Sequence, residues 1–549
     1  MSYLIGYDAG SSSVKAALLD AATGRQVAAA SSPEEEMPIH APRPGWAEQD
    51  PRMWWEHLRR ATALLGREAG AGMREVEAIG ISYQMHGLVV TDAELRPLRP
   101  AIIWCDSRAV GVGEEAFRLL GEEECLGCLL NSPGNFTASR LRWLRENEPE
   151  VYREVRWAML PGDWLAARMT GEAATTPSGL SEMILWDFLE DKPAERVMER
   201  LGIDPRLLPP VVPTFSVQGE LRREAAEELG LPAGIPVAYR AGDQPNNAFS
   251  LRVLEPGEAA ATAGTSGVVY GVSGRRLCDR ESRVNVFLHV NHSPGRPRYG
   301  LLMCVNGAGI LYRWLKGNLG SGAGWDYPRM DEMAAAVPVG AEGLVFLPFG
   351  NGAERTLSNR NPGASLHGLD LNLHRREHLL RAAQEGIAFA LGYGMEIMEG
   401  MGFRAESVRA GEANMFRSPV FREAFAAVTG ARLEVYATDG AQGAARGAGM
   451  GAGLFRDPAE AFAGLERVAE VECAGERWEA YREAYSRWRR VLEAQVERHG
   501  EDRGGRRGEE AAGAREGRLR AGEEGGTPGV SGGGTLCPER RQEHPGRPG

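Results

Sequence analysis

The chain has 549 residues, a formal net charge of −12 and 43% hydrophobic residues. That length exceeds one ordinary core and calls for two large domains plus a tail. The acidic balance argues against a general nucleic-acid binder, which carries a basic face, but leaves an anionic ligand open. Backbone N–H groups, a helix N-terminus and one metal ion hold a nucleotide without a basic surface.

Residues 3–8 read as a short buried strand, 10–13 as a tight Gly/Ser turn and 14–20 as a second strand. Such a hairpin exposes N–H groups that cradle a phosphate. A helical pattern covers 51–68. Strands at 78–82 and 87–91 flank a polar interruption, Tyr83-Gln84-Met85-His86, and helical patterns follow at 139–146, 151–170 and 192–201. After a Pro-rich stretch at 205–213, a strand at 235–238 leads into Gly242-Asp243. The domain boundary is placed at 250–257, giving domains over 1–250 and 251–495. The second opens with strand-like runs in 258–274 around Gly264-Thr265-Ser266-Gly267, an echo of the opening hairpin. Helices are expected at 377–398 and 417–429, the latter after a turn at 411–414. Residues 496–549 are Gly-, Arg- and Glu-rich and are expected to be disordered, because they bury too little surface to offset chain entropy.

The seven cysteines are unclustered, which reads as a reducing compartment. Cys125 and Cys128 form a CxxC without the second pair that a zinc site wants. The N-terminus lacks the features of a signal peptide, and no run of about 18 apolar residues is present, so a cytoplasmic protein with no membrane partner is expected.

Asp8 closes a strand and is followed by Gly10, Ser11, Ser12 and Lys15. A carboxylate beside a small-residue turn suits a magnesium–phosphate pair, and an ordinary hairpin turn is the alternative. Asp243 ends an apolar strand, where it serves either as a helix cap or as a base presented in a cleft. His86 sits between two strands and can exchange a hydrogen bond with a ligand hydroxyl.

The opening hairpin resembles the first phosphate motif of the FGGY carbohydrate kinases. Pro44-Gly45-Trp46-Ala47-Glu48-Gln49-Asp50-Pro51, Met85-His86-Gly87, Ile103-Trp104-Cys105-Asp106-Ser107-Arg108, Leu160-Pro161-Gly162-Asp163, Gly242-Asp243-Gln244 and Gly264-Thr265-Ser266-Gly267 continue the match in order, over roughly residues 3–455. The resemblance implies two ribonuclease-H-like α/β domains of the actin and hexokinase type, with ATP and Mg²⁺ as cofactors and a cleft between the domains. It implies Asp243 as catalytic base, and Asp8 with Asp243 at the metal, through water. Sugar contacts are implied for Met85, His86, Gln84, Trp104, Asp106 and Asn246. Phosphate and nucleotide contacts are implied for Asp8, Gly10, Ser11, Ser12, Lys15, Gly264, Thr265, Ser266, Gly411, Asn414 and Ser418. Met85-His86-Gly87 is similar to the branch that phosphorylates D-xylulose, and family members are often homodimers.

The match departs from the family at Ala410-Gly411-Glu412-Ala413-Asn414, where one glycine stands in place of two or three and Glu412 adds charge near the expected adenine. Alternatives left by the sequence are a kinase for ribulose, gluconate, glycerol or a longer ketose, a non-catalytic sugar or nucleotide binder, and an actin-like filament protein. Arg108 keeps a sugar acid open as the substrate.

Overall fold

The computed structural model describes residues 2–322 and 324–520. Five strands form the first sheet: β1 (Tyr3–Ala9), β2 (Val14–Asp20), β3 (Gln26–Ser32), β4 (Val76–Tyr83) and β5 (Val237–Gly242). Their order is β5-β4-β1-β2-β3, with β1, β2 and β3 antiparallel neighbours and β1, β4 and β5 parallel. The parallel strands are in step. Asp8 is level with Ser82 and Ser82 with Ala241, so the residues that follow all three strands emerge at one carboxyl-terminal edge. Ligands bind at that edge in open α/β sheets.

Seven strands form the second sheet: β6 (Glu258–Ala263), β7 (Gly267–Ser273), β8 (Asn285–Leu288), β9 (Tyr299–Val305), β10 (Ser407–Gly411), β11 (Arg432–Tyr436) and β12 (Arg467–Val471). The order is β8-β9-β7-β6-β10-β11-β12. Without the edge strands β8 and β12, this repeats the first sheet: an antiparallel meander of three, then two parallel strands on the far side of the first. The echo between the two hairpins is therefore an echo of whole sheets. Both small-residue turns join the first two strands of their sheet.

Helix Pro51–Ala69 starts at an Asp50 cap, which accepts from Arg52 N, and turns Trp54, Trp55, Leu58 and Leu65 inward against β2 and β3. The opposite face is covered from far away in sequence by the helix Gly440–Gly451. Its backbone comes so close that a Cβ at Gly6 would lie 2.0 Å from Ala441 O, and one at Gly80 2.0 Å from Ala444 O. The Gly/Ala-rich stretch is thus a packing surface. It belongs to the core of the first sheet, although the sequence division places it in the second domain.

The continuous helix expected at 151–170 is two helices, Pro149–Glu154 and Pro161–Thr170, separated by the strand Trp157–Met159, which pairs with Val89–Thr91. Pro161 begins the second helix, because a proline cannot supply an interior helical N–H. Elsewhere the expected helices hold to within a few residues, as in Arg376–Gly400 for 377–398 and Pro419–Thr429 for 417–429, except that 192–201 is a short strand, Lys192–Pro193, followed by the helix Glu195–Arg200.

Residues Met1–Val496 form one compact unit and Glu497–Gly549 a second. The last helix, Gly475–Arg520, carries its backbone into the segment expected to be disordered from residue 496, in keeping with the helix propensity of Glu, Arg and Ala. Residues 521–549 of that expected tail lie outside the described residues. Among the described residues, no helix is long and apolar enough to cross a membrane, and no group of three His, Cys, Asp or Glu side chains is placed to hold a metal.

Candidate active site

A cavity of about 590 Å³ opens at the carboxyl-terminal edge of the first sheet. Asp8 and Asp243 both line it. Asp8 is the penultimate residue of β1, and its Oδ1 accepts from Ser82 Oγ at 2.8 Å. Burial holds its carboxyl above its ordinary pKa, against the pull of Lys15. Asp243 opens the helix Asp243–Ser250 directly after β5. Burial, and then the negative charge of Asp8, push its carboxyl up to about 7, although Gln244 opposes this by donating to Oδ1 at 3.2 Å. Two buried carboxylates, one of which raises the proton affinity of the other, are a place for a cation and for a proton taken from a substrate.

The turn after β1 brings Gly10, Ser11 and Ser12 to the same cavity, with Lys15 beside them. The turn is held from outside. Gln49 Nε2 donates to Ser11 O at 2.7 Å, and Trp104 Nε1 donates to Ser11 Oγ at 3.2 Å. Trp104 is 45% exposed, so it is a wall of the cavity and not a core tryptophan. Gln49, absent from the sequence-derived site, also accepts from Trp54 Nε1 at 3.0 Å and from Gln84 Nε2 at 3.3 Å. It ties the Gly10 to Ser12 turn to the Gln84 segment.

Gln84, Met85 and His86 line the opposite side. His86 has a left-handed backbone, φ 61°, which turns its ring into the cavity wall. Burial, with Arg140 nearby, lowers its pKa to about 3, so the ring is neutral. Its Nδ1 lies 3.0 Å from Glu182 O, and a carbonyl only accepts, so Nδ1 carries the hydrogen and Nε2 is an acceptor. Gln84 Oε1 and Asn135 Oδ1, both buried on lining residues, have no hydrogen-bond partner among the described residues. The cavity therefore offers three neutral acceptors, which suits a ligand rich in hydroxyl donors.

Arg140 was missed by sequence reasoning. It is fully buried and donates to three carbonyls of the site segments: His86 O, Trp104 O at 2.9 Å and Asp106 O at 3.3 Å. The available signal was a cation on the buried face of a helix, four residues before Leu144. Arg355 is a further residue absent from the sequence-derived site. It enters the cavity from the second half of the chain, donates to Asn285 Oδ1 at 3.1 Å and lies over Phe136 at 4.9 Å.

Two expected sugar contacts are elsewhere. Asp106 is fully buried, accepts from Ala47 N at 2.6 Å and pairs with Arg108 at 2.7 Å. Arg108 in turn stacks 3.7 Å from the Trp46 ring and pairs with Glu48 at 2.8 Å. Both charges are spent inside the protein. Asn246 faces the other way, donating to Gly440 O at 2.9 Å. It sits on the side of its helix that meets Gly440–Gly451.

A second cavity of about 760 Å³ is lined by Gly264, Thr265, Asn414 and Ser418 together with Tyr312 and Asp331. Gly411 ends β10 without lining it. Glu412 is half exposed and reaches toward Arg422 at 3.8 Å, so its charge does not occupy the cavity. Thr265 faces this second cavity and the next residue, Ser266, faces the first. One turn thus stands between a cavity with two carboxylates and neutral acceptors and a second cavity wide enough for a nucleoside.

Residues 3–250 match the N-terminal domain, and residues 259–454 the C-terminal domain, of the FGGY family of carbohydrate kinases. The chain belongs to this family. Xylulose kinase of Escherichia coli (strain K12) is 31% identical over 497 residues, 89% of this chain and 98% of that one. The crystal structure of a xylulose kinase from Brucella ovis superposes with a TM-score of 0.79 at 27% identity, covering 90% of this chain and 99% of the other. A gluconate kinase from Lactobacillus acidophilus superposes with a TM-score of 0.81 at 20% identity, covering 91% and 99%, and so shares the fold. This FGGY protein is a carbohydrate kinase of two ribonuclease-H-like domains, for which the family implies ATP as a substrate.

Proposed function

We propose that this carbohydrate kinase phosphorylates D-xylulose on O5, giving D-xylulose 5-phosphate. The supporting observation is the pairing of Asp243, with its proton affinity near neutrality, with neutral acceptors from His86, Gln84 and Asn135 in one cavity. In this reading Asp243 orients the O5 hydroxyl and accepts its proton as the O5–phosphorus bond forms and the bond to the departing ADP oxygen breaks. The Gly10 to Ser12 turn and the Gly264 to Ser266 turn hold the phosphates from the two sheets, and the nucleoside lies in the second cavity. Trp104 and Met85 form apolar walls that exclude water, so that the phosphoryl group goes to sugar.

The residues fit Mg²⁺: Asp8 and Asp243 are hard oxygen donors short of positive charge, and a pair of carboxylates leaves room for the waters and phosphate oxygens this ion keeps. When bound, the ion neutralises charge on the phosphates. Arg108 is committed to Asp106, Glu48 and Trp46, so a sugar acid would have to meet Arg355 or Lys15 instead. The test is ADP release by the purified protein with Mg-ATP over a panel of ketoses, polyols and sugar acids. Turnover highest with D-xylulose supports the reading. Higher turnover with another sugar replaces the substrate, and none with any sugar removes the kinase activity.

A further inference from the structure

The floor of the second cavity is a hydrogen-bond chain whose direction can be assigned. Ser418 Oγ donates to Gln384 Oε1 at 2.7 Å. Gln384 Nε2 spends its two hydrogens on Tyr312 OH at 2.7 Å and on Asp331 Oδ1 at 2.8 Å. The Tyr312 hydroxyl donates to the same Asp331 Oδ1 at 3.0 Å. Gln384, Ser418 and Tyr312 are buried, so this chain is built into the core. Every donor in it is used, and all of them run toward Asp331. An ionised carboxylate has room for about four hydrogen bonds. Tyr312 and Gln384 fill one oxygen, Ser418 also stands within reach of the carboxylate, and the carboxylate lines the cavity with acceptor capacity to spare. What the floor offers a ligand is therefore an acceptor. The other charged groups at this cavity, Arg313, Arg417 and Glu332, are exposed residues outside the chain.

We propose that Asp331, oriented by Tyr312, Gln384 and Ser418, is the base-reading residue of the nucleotide site and selects purines that carry a 6-amino donor over 6-oxo purines. This rests on the reading of the second cavity as the nucleoside site. An amino group at C6 meets the carboxylate as a donor, whereas a 6-oxo purine in the same pose sets its oxygen against the carboxylate and can offer its N1–H only by shifting in the cavity. A buried acceptor left facing another acceptor costs its full desolvation, so discrimination of about tenfold or more is expected.

The experiment compares kcat/KM for ATP, ITP and purine riboside 5′-triphosphate, at saturating sugar, in the wild-type protein and in Asp331→Asn and Ile310→Trp. Asn keeps the size of Asp and can present either a donor or an acceptor. Ile310 lines the same cavity, and Trp would fill it. The expected result is a wild-type preference for ATP over both analogues of about tenfold or more, lost or inverted for ITP in Asp331→Asn while the sugar KM holds. Wild-type kcat/KM values within twofold among the three nucleotides overturn the proposal without any variant. An ATP-to-ITP ratio unchanged in Asp331→Asn, with the ATP KM raised in Ile310→Trp, overturns the role of Asp331 and leaves the nucleoside site standing. An ATP KM unchanged in Ile310→Trp overturns both.

Discussion

The carboxylate of Asp8 lies against the Cα of Gly440, so closely that a Cβ on Gly440 would stand 2.6 Å from Asp8 Oδ2. Gly440 begins the helix that crosses the first sheet, so the position of Asp8 is set by a residue more than 400 positions away in sequence. Gly440→Ala must push the carboxylate away from the phosphate turn. The expected outcome is a folded protein whose kcat falls by up to about 100-fold, the scale of an ångström-sized misplacement of a reacting group. Steady-state kinetics beside a circular dichroism spectrum checks it.

Asp243→Asn removes the proton acceptor and is expected to lower kcat by about 10²- to 10⁴-fold with little change in sugar KM. In the wild type the base works only when ionised. Below the value of about 7 to which burial and Asp8 push it, kcat/KM should fall tenfold per pH unit. Asp8→Asn deletes the like charge, so the bend in the profile of its residual activity should move to lower pH.

The same shift acts on stability. The folded chain holds the Asp243 proton more tightly than the unfolded chain, so stability falls as pH rises from the ordinary carboxylate range to about 7. Asp243→Asn cannot ionise and escapes that loss. Its urea midpoint should match that of the wild type at low pH and exceed it at pH 8.

Arg140 holds the carbonyls of His86 and Trp104 without touching the cavity itself. Arg140→Gln should raise the sugar KM by about tenfold, or 1.4 kcal/mol, and leave the ATP KM alone. Arg140→Lys, which keeps the charge and part of the donor set, should recover part of the loss. Because the His86 ring is neutral down to about 3, the sugar KM of Asp243→Asn, which lacks the carboxyl that titrates near 7, should show no inflection between pH 5 and 8.

Asp106→Ala, by contrast, should act on stability. It strips one of the two carboxylates from a buried guanidinium, leaving Glu48, at a cost of about 3 kcal/mol by urea denaturation. A large change in sugar KM at unchanged stability would return Asp106 to the substrate site.

The elements that carry the site were legible where local rules are strong. A strand ending in Asp8 before a small-residue turn, Asp243 after an apolar strand, and His86 between two strands declare themselves by residue type and position. The misread residues depend on which way a side chain turns after folding. Asp106 and Asn246 each stand two residues from a cavity wall, Trp104 and Gln244, and only the packed structure decides that one meets Arg108 and the other Gly440. Gln49 and Arg140 reach backbone atoms 38 and 54 residues away, a relation to which no local pattern points. The break at 155–160 was hidden for a similar reason. Trp157, Ala158 and Met159 are acceptable in a helix until Val89–Thr91 offers them a strand partner.

The first sheet also leaves the ribosome before the second, yet one of its faces is made of residues 440–451. Until those are synthesised, the apolar side formed by Leu4, Ala78 and Tyr239 has only water or a chaperone to cover it. The half of the molecule made first is the half finished last. A chain stopped before residue 440 is therefore not a smaller sugar-binding protein but an exposed sheet, and its fate is aggregation or proteolysis.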